Sequence, residues 1–91
     1  MAINFVNPSR VYEASDHGVR FWGYDREIEI SFLVDEAALS KIEPKTEKNR
    51  AGYILTFDDN RNRIQEVANT TYSARRKSSR PYLINLKDID F

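Results

Sequence analysis

The 91-residue sequence predicts an α+β fold, with a small, mostly antiparallel sheet of about four strands and one short and one long helix packed on one face. Apolar and polar residues alternate through residues 27–34 and again through 82–87, as in half-buried strands. Through residues 49–74, apolar residues instead recur at three- and four-residue steps, as in an amphipathic helix. Together these patterns predict the element order β-β-β-α-α-β in a single domain, residues 1–91.

A hairpin over residues 19–34 is the clearest local prediction. Its second strand carries four apolar residues at every other position: Ile28, Ile30, Phe32 and Val34. This alternation predicts one buried and one solvent-exposed face. Residues 19–22 alternate as well, and Gly23-Tyr24-Asp25 is predicted to form the turn between the two runs. A shorter strand is predicted at residues 11–14, between turns at 7–9 and 15–18.

Two helices are predicted after the hairpin. Asp35 can cap a short helix by accepting from free backbone N–H groups, and Pro44 ends that helix after about two turns. A longer helix is predicted from about Asn49 to Ala74, with a bend near Asp59. Because residues 58–60 can also cap a separate helix, the sequence leaves the continuity of this stretch open. Its apolar stripe comprises Ile54, Phe57, Ile64, Val67 or Ala68, and Tyr72.

The composition, 41% apolar and 31% charged, is typical of a globular domain and excludes a disordered or fibrous chain. No apolar run approaches the roughly 20 residues of a membrane span, and the N-terminus lacks the basic start and apolar stretch of a signal peptide. There is no cysteine, which excludes disulfides and cysteine-ligated zinc and suits a reducing compartment. We therefore expect a cytoplasmic protein with no membrane partner.

Charge is distributed unevenly, although the net charge is zero. Residues 1–45 carry five basic and eight acidic groups, whereas residues 46–91 carry nine basic and six acidic groups. The net charge is therefore −3 for residues 1–45 and +3 for residues 46–91. This balance excludes a globally basic nucleic-acid binder but allows a local basic patch.

Two segments carry a family resemblance, and both belong to predicted elements. Val19-Arg20-Phe21-Trp22-Gly23 lies in the hairpin, and Phe57-Asp58-Asp59-Asn60-Arg61-Asn62-Arg63-Ile64 lies in the long helical stretch. With residues 29–32 and Tyr72, they resemble domain-of-unknown-function family 1488, a family of small bacterial proteins. The similarity extends from about Asn7 to Phe91. The resemblance implies a bacterial origin and a compact α+β fold, and it implies no activity, cofactor or catalytic residue.

Residues with catalytic potential do not form a recognisable site in the sequence. His17 is the only histidine, and its tight Asp-His-Gly turn offers neither a cleft for a nucleophile nor the roughly three ligands of a catalytic zinc. Glu27 with Glu29 and Asp58 with Asp59 lie on predicted solvated faces, whereas acid/base catalysis needs one carboxyl buried with a raised pKa. The three glycines match no phosphate-binding spacing. We expect a non-enzymatic protein with no catalytic residue, cofactor or metal.

An aromatic row on the first strand of the hairpin is the leading candidate for a binding surface. If Val19 and Phe21 face the helices, Arg20, Trp22 and Tyr24 line the opposite face. These residue types are enriched at protein interfaces, so the row predicts a homodimer contact or a contact with another protein. The alternative is that the row is covered by Ile3 and Phe5, or by Ile89 and Phe91.

A basic segment between the long helix and the last strand gives a second hypothesis. It contains Arg75, Arg76, Lys77 and Arg80 within six residues. With Arg61 and Arg63 on the helix, these side chains would form one stripe that contacts phosphates, which predicts nucleic-acid binding. The alternative is that they are solvated charges near a helix C-terminus.

Overall fold

The computed structural model of the chain describes residues 3–74 and 81–90. It confirms the α+β fold, with a four-stranded sheet and three helices. The elements, in chain order, are β1 (Arg10–Glu13), β2 (Gly18–Asp25), β3 (Ile28–Asp35), α1 (Glu36–Ile42), α2 (Arg50–Asp59), α3 (Arg61–Ala74) and β4 (Tyr82–Ile84). Short 3₁₀ turns follow β1 and β4, at Ala14–Asp16 and Leu86–Asp88.

The strands lie side by side in the order β1-β2-β3-β4. The first three are antiparallel, and β4 returns parallel to β3 after the helices. One cross-strand row places Phe21 opposite Phe32 and Phe32 opposite Tyr82. The row is buried, so the register aligns the apolar face of each strand.

The hairpin turn lies two residues later than predicted. β2 continues through Asp25, and Arg26 and Glu27 form the turn, with Arg26 at a φ of 60°. Gly23 is inside β2, where a Cβ would lie 2.3 Å from Cγ2 of Ile3. The glycine is therefore needed for the close approach of the N-terminal segment rather than for a turn.

Helix α1 has the predicted limits. The Asp35 carboxylate accepts a hydrogen bond from the Ala38 N–H at 2.8 Å, which caps the helix. Leu39 is buried, Ile42 packs partly against the core, and the helix ends at Ile42, ahead of Pro44.

The long helical stretch is interrupted at Asn60, where the sequence predicted a bend. The Asn60 backbone N–H donates to the Phe57 carbonyl at 3.1 Å, and its side-chain Nδ2 donates to the Thr56 carbonyl at 2.9 Å. The side chain thus occupies the carbonyl that the residue's own N–H would bind in a continuous helix. The Asn60 carbonyl accepts from the Ile64 N–H at 3.0 Å, so α3 starts again at once.

The core lies between the sheet and the three helices. Three phenylalanine rings form its centre, because Phe21 lies 5.3 Å from Phe32 and 5.0 Å from Phe57, measured between ring centroids. Two predicted positions differ. Ile28 lies beyond the helices and is 66% exposed, whereas Ile30, Phe32 and Val34 are buried. Leu86 falls in a 3₁₀ turn rather than in the last strand and is exposed.

Candidate interaction surface

The sheet face that points away from the helices is called the outer face here. Val19 and Phe21 are buried in the core, so the residues between and beside them on β2 point to the opposite side. The strand register then identifies the residues of β1, β3 and β4 that lie on the same face. Its residues are Val11 and Glu13 on β1, Gly18, Arg20, Trp22 and Tyr24 on β2, Glu29, Ser31, Leu33 and Asp35 on β3, and Leu83 on β4.

Trp22 is at the middle of the outer face. It lies opposite Ser31 of β3 and between Arg20 and Tyr24 along β2, and its side chain is half-buried. Its indole N–H donates to no acceptor among the described residues, and every buried side-chain polar atom of that part of the chain has a partner. The N–H is therefore open to solvent, which leaves a large apolar ring with an unused donor.

Apolar side chains continue beside Trp22 in one cross-strand row. Val11 and Leu83 are 44% and 43% exposed, and Leu33 between them is only 5% exposed. Leu33 lies between Arg20 and Leu83 in this row, and the helices of the described residues pack on the other face of the sheet. The outer face thus presents an apolar centre that alternation predicted only in part, because Leu33 follows Phe32 in the sequence and breaks the polar pattern.

The only cation among these outer-face residues, Arg20, is paired within the chain. Nε of Arg20 lies 3.0 Å from Oε2 of Glu13, and an amino nitrogen of the same guanidinium lies 3.3 Å from Oδ2 of Asp16. The Tyr24 hydroxyl donates to Glu29 at 3.1 Å. Arg20 is therefore held by β1 and the following turn rather than being a free cation.

The proposed cover from the N-terminus is wrong. Asn4 pairs with Tyr24 through two backbone hydrogen bonds of 2.8 and 2.9 Å, which directs the adjacent Ile3 and Phe5 to the core side. Phe5 contacts the Phe21 and Phe32 rings. Ile89 is also buried in the core, and Phe91 lies outside the described residues. Ile3, Phe5 and Ile89 therefore do not cover Trp22.

The candidate phosphate-contacting arginines fall in different settings. Arg61 lies 3.2 Å from Asp58 and over the Phe57 ring, 4.8 Å from its centroid. Arg63 is exposed and lines a depression of about 280 Å³ together with Glu66, Asp88 and Asp90. Arg75, Arg76, Lys77 and Arg80 lie outside the described residues. On α3, Arg61 is thus paired with Asp58, and Arg63 shares a depression with three carboxylates.

The remaining polar candidates take structural roles. His17 is exposed at a φ of 56° and ends the 3₁₀ turn before β2. Glu27, Glu29 and Asp59 are exposed. Among residues 3–74 and 81–90, no group of three or more metal-ligating side chains occurs.

Among the described residues, five groups have shifted pKa values: Arg10, Tyr12, Asp35, Tyr53 and Asp58. Hydrogen bonds from Arg10 lower the pKa of Asp58. Burial raises the pKa of Asp35, the cap of α1, against the opposing effect of its bond from Ala38. The hydrogen bond that Tyr12 donates to Glu36 raises the pKa of its phenol. The shifts of Asp58 and Tyr12 thus follow from contacts between elements, whereas that of Asp35 follows from burial.

One surface feature was not visible in the sequence. A groove of about 280 Å³ runs between β1 and α2, and Arg10, Val11, Tyr12, Arg50 and Ile54 line it. The two elements are also joined by the stacked rings of Tyr12 and Tyr53, whose centroids lie 5.8 Å apart. The residues come from segments about 40 positions apart, so no local pattern could reveal the groove.

No helix in the described part of the chain combines the length and apolar character of a membrane span. A search among curated proteins finds no match to the chain. The crystal structure of a protein of unknown function from the DUF1488 family of Shewanella loihica PV-4 is similar in fold, with a TM-score of 0.78. Its sequence is 15% identical, and the match covers 98% of this chain and 96% of that one.

The family model described as protein of unknown function (DUF1488) matches residues 3–84. This range includes all four strands, all three helices and the whole outer face. The chain belongs to the DUF1488 family.

Proposed function

We propose that the chain is a non-enzymatic protein-interaction domain of the bacterial cytoplasm, and that its outer face binds a second copy of the same chain. The observation that carries the proposal is the position of Trp22 at the middle of a sheet face over which no described helix packs. Its cysteine-free composition suits the reducing cytoplasm.

The side chains of the outer face support a protein contact. Trp, Tyr and Arg are the residue types that most often anchor interfaces, and Arg20, Trp22 and Tyr24 follow one another on this face of β2. Val11 and Leu83 add exposed apolar area on either side of Leu33. A partner that covers them would gain apolar burial at about 25 cal/mol per Å².

The pairing of Arg20 allows a second copy to be that partner. Glu13 and Asp16 already neutralise Arg20, so two outer faces can meet without leaving a desolvated arginine unpaired. An isologous contact places the same patch on both sides, and sheets pack face to face at about 10 Å with their side chains interdigitated. Trp22 would then lie against the apolar row of the other copy.

The roles of the titratable groups support the non-enzymatic part of the proposal. Perturbed pKa values often mark catalytic sites. Here Asp58, Asp35 and Tyr12 each bind a structural partner. The depressions along the described surface hold about 180 to 430 Å³ and are open to solvent.

The mass of the protein in solution tests the proposal. Sedimentation equilibrium should give twice the 10.6 kDa of one chain at high concentration, and Trp22→Ala should shift the equilibrium toward monomer at least tenfold, as expected for an interface anchor. Leu55→Ala is the matched control, because Leu55 is 61% exposed on α2, away from the outer face. A wild type that stays monomeric at millimolar concentration, or equal effects of the two variants, would refute self-association through this face.

Nucleic-acid binding is the second candidate, supported by the four cationic residues among positions 75–80. It predicts binding of a single-stranded oligonucleotide that weakens steeply with salt and is lost in an Arg75→Glu, Arg76→Glu double variant. Absence of binding at 20 mM salt would remove this candidate and leave the outer-face proposal unaffected.

A further inference from the structure

β1 is an end strand of the sheet. It pairs with β2 along one edge, and within residues 3–74 and 81–90 its other edge makes no backbone hydrogen bond. The backbone groups of residues 10–13 that point outward on this edge are thus available to a further strand.

The groove between β1 and α2 lies directly beside this edge. Tyr12 and Ile54 give it an apolar floor, since both are partly buried and pack against the core. Because side chains of an added strand alternate between the two sheet faces, every second one would point into the groove. The edge and the groove together form the two parts of a strand-addition site.

Charge identifies the kind of strand that fits. Arg50, the first residue of α2, is exposed and forms no ion pair with any residue in the described part of the chain. Arg10 at the other side of the groove is held by Asp58 at 2.8 Å. The groove therefore offers one uncommitted cation, and the positive end of the α2 dipole adds to it.

From this geometry we infer that an extended, acidic segment of another protein binds as a fifth strand along the free edge of β1, with a carboxylate facing Arg50 and apolar side chains over Tyr12 and Ile54. The site differs from the outer face, because Tyr12 and Ile54 pack against the core, and the two share only Val11. It goes beyond the proposed self-association and does not depend on it.

Fluorescence anisotropy with defined peptides tests the inference. The probe is a fluorescein-labelled, end-blocked octapeptide, Glu-Thr-Val-Thr-Val-Thr-Glu-Thr, in which the side chains that can face the groove are two Glu with two Val between them. We expect saturable binding that is at least fivefold weaker for the peptide with Lys in place of both Glu and for Arg50→Glu, as loss of a charge pair implies. Lys87→Glu is the control, because it makes the same charge change at an exposed position in the 3₁₀ turn after β4.

A second set of measurements tests whether the peptide pairs with the backbone of β1. Methylating the amide nitrogens of all Thr residues, or of all Glu and Val residues, removes the donors on one edge of the added strand at a time. One of these two peptides should lose binding, and the amide resonances of residues 10–13 and 50–54 should shift when the unmodified peptide is added.

Several outcomes would overturn the inference. They are no anisotropy change at 1 mM protein, equal binding by Arg50→Glu and wild type, full binding by both methylated peptides, or resonance shifts confined to β2, β3 and β4. Trp22→Ala should retain peptide binding. Loss of self-association in that variant with intact peptide binding, or the reverse, therefore distinguishes the two proposals.

Discussion

Asp58 lies near the carboxyl end of α2 and joins this helix to two other elements. Its carboxylate accepts two 2.8 Å hydrogen bonds from Arg10 of β1, and Oδ1 also lies 3.2 Å from Arg61 of α3. The sequence predicted a solvated carboxylate at this position. Arg10 lies 48 residues away in the chain, so only the packing of α2 over β1 brings the pair together.

Replacing Asp58 with Asn should destabilise the fold modestly. The variant loses the charge that binds both arginines, but solvent screens the pairs because all three side chains are at least a quarter exposed. We expect the urea midpoint to fall by roughly 0.5 M at pH 7. Asp59→Asn is the control on the same helix, since Asp59 is exposed, and it should leave the midpoint unchanged.

The stability difference between wild type and Asp58→Asn should depend on pH. The pKa of Asp58 is lower in the folded protein than in the unfolded chain, so its contribution is present above the unfolded value of about 3.9. That contribution is lost as the pH falls through the folded pKa. The difference between wild type and Asp58→Asn should therefore vanish in acid. A difference that persists at pH 2 would show that the stabilisation does not come from the charge.

Among the elements, local signals account for those that the sequence predicted correctly. Alternation located β2 and β3, and Asp35 with Pro44 limited α1. The interruption between α2 and α3 depends on the rotamer of Asn60, whose amide binds the Thr56 carbonyl, and a sequence pattern does not specify a rotamer. Likewise, the sequence predicted a turn at Gly23, because glycine is common in turns. The residue that approaches Gly23, Ile3, lies 20 positions earlier in the chain, so no local pattern reveals this contact.

The cap of α1 allows a test at the level of an element. Asp35→Ala removes the acceptor for the Ala38 N–H and should lower the free energy of unfolding by about 1 kcal/mol. Asp35→Asn keeps an acceptor and removes a charge whose pKa is raised by burial. We therefore expect Asp35→Asn to be at least as stable as wild type in urea unfolding at pH 7.

The raised pKa of Asp35 also determines how the stability of the variants relative to wild type depends on pH. Folded protein binds the Asp35 proton more readily than the unfolded chain does, so ionisation of Asp35 costs stability as the pH rises through the folded pKa. The advantage of Asn over Asp should be largest at neutral pH and disappear in acid. Equal losses in the Asn and Ala variants would mean that the carboxylate charge, rather than the cap bond, stabilises α1.

For the whole molecule, the arrangement of two layers determines which surfaces remain for function. All three helices cover one face of the sheet, and Ile3 and Phe5 join them there. Alternation in β2 was enough to predict that Arg20, Trp22 and Tyr24 share the other face. The burial of Leu33 and the groove beside β1 depend on how distant strands and helices pack, so they emerge only from the structure.

The central claim, that a second copy covers the outer face, is tested most directly by the fluorescence of Trp22, the only tryptophan in the chain. Its indole is partly exposed in one chain, so the emission should shift to shorter wavelength and become protected from acrylamide as concentration rises, in step with the doubling of mass. Emission that stays at long wavelength and fully quenchable while the mass doubles would place the contact elsewhere and contradict the account.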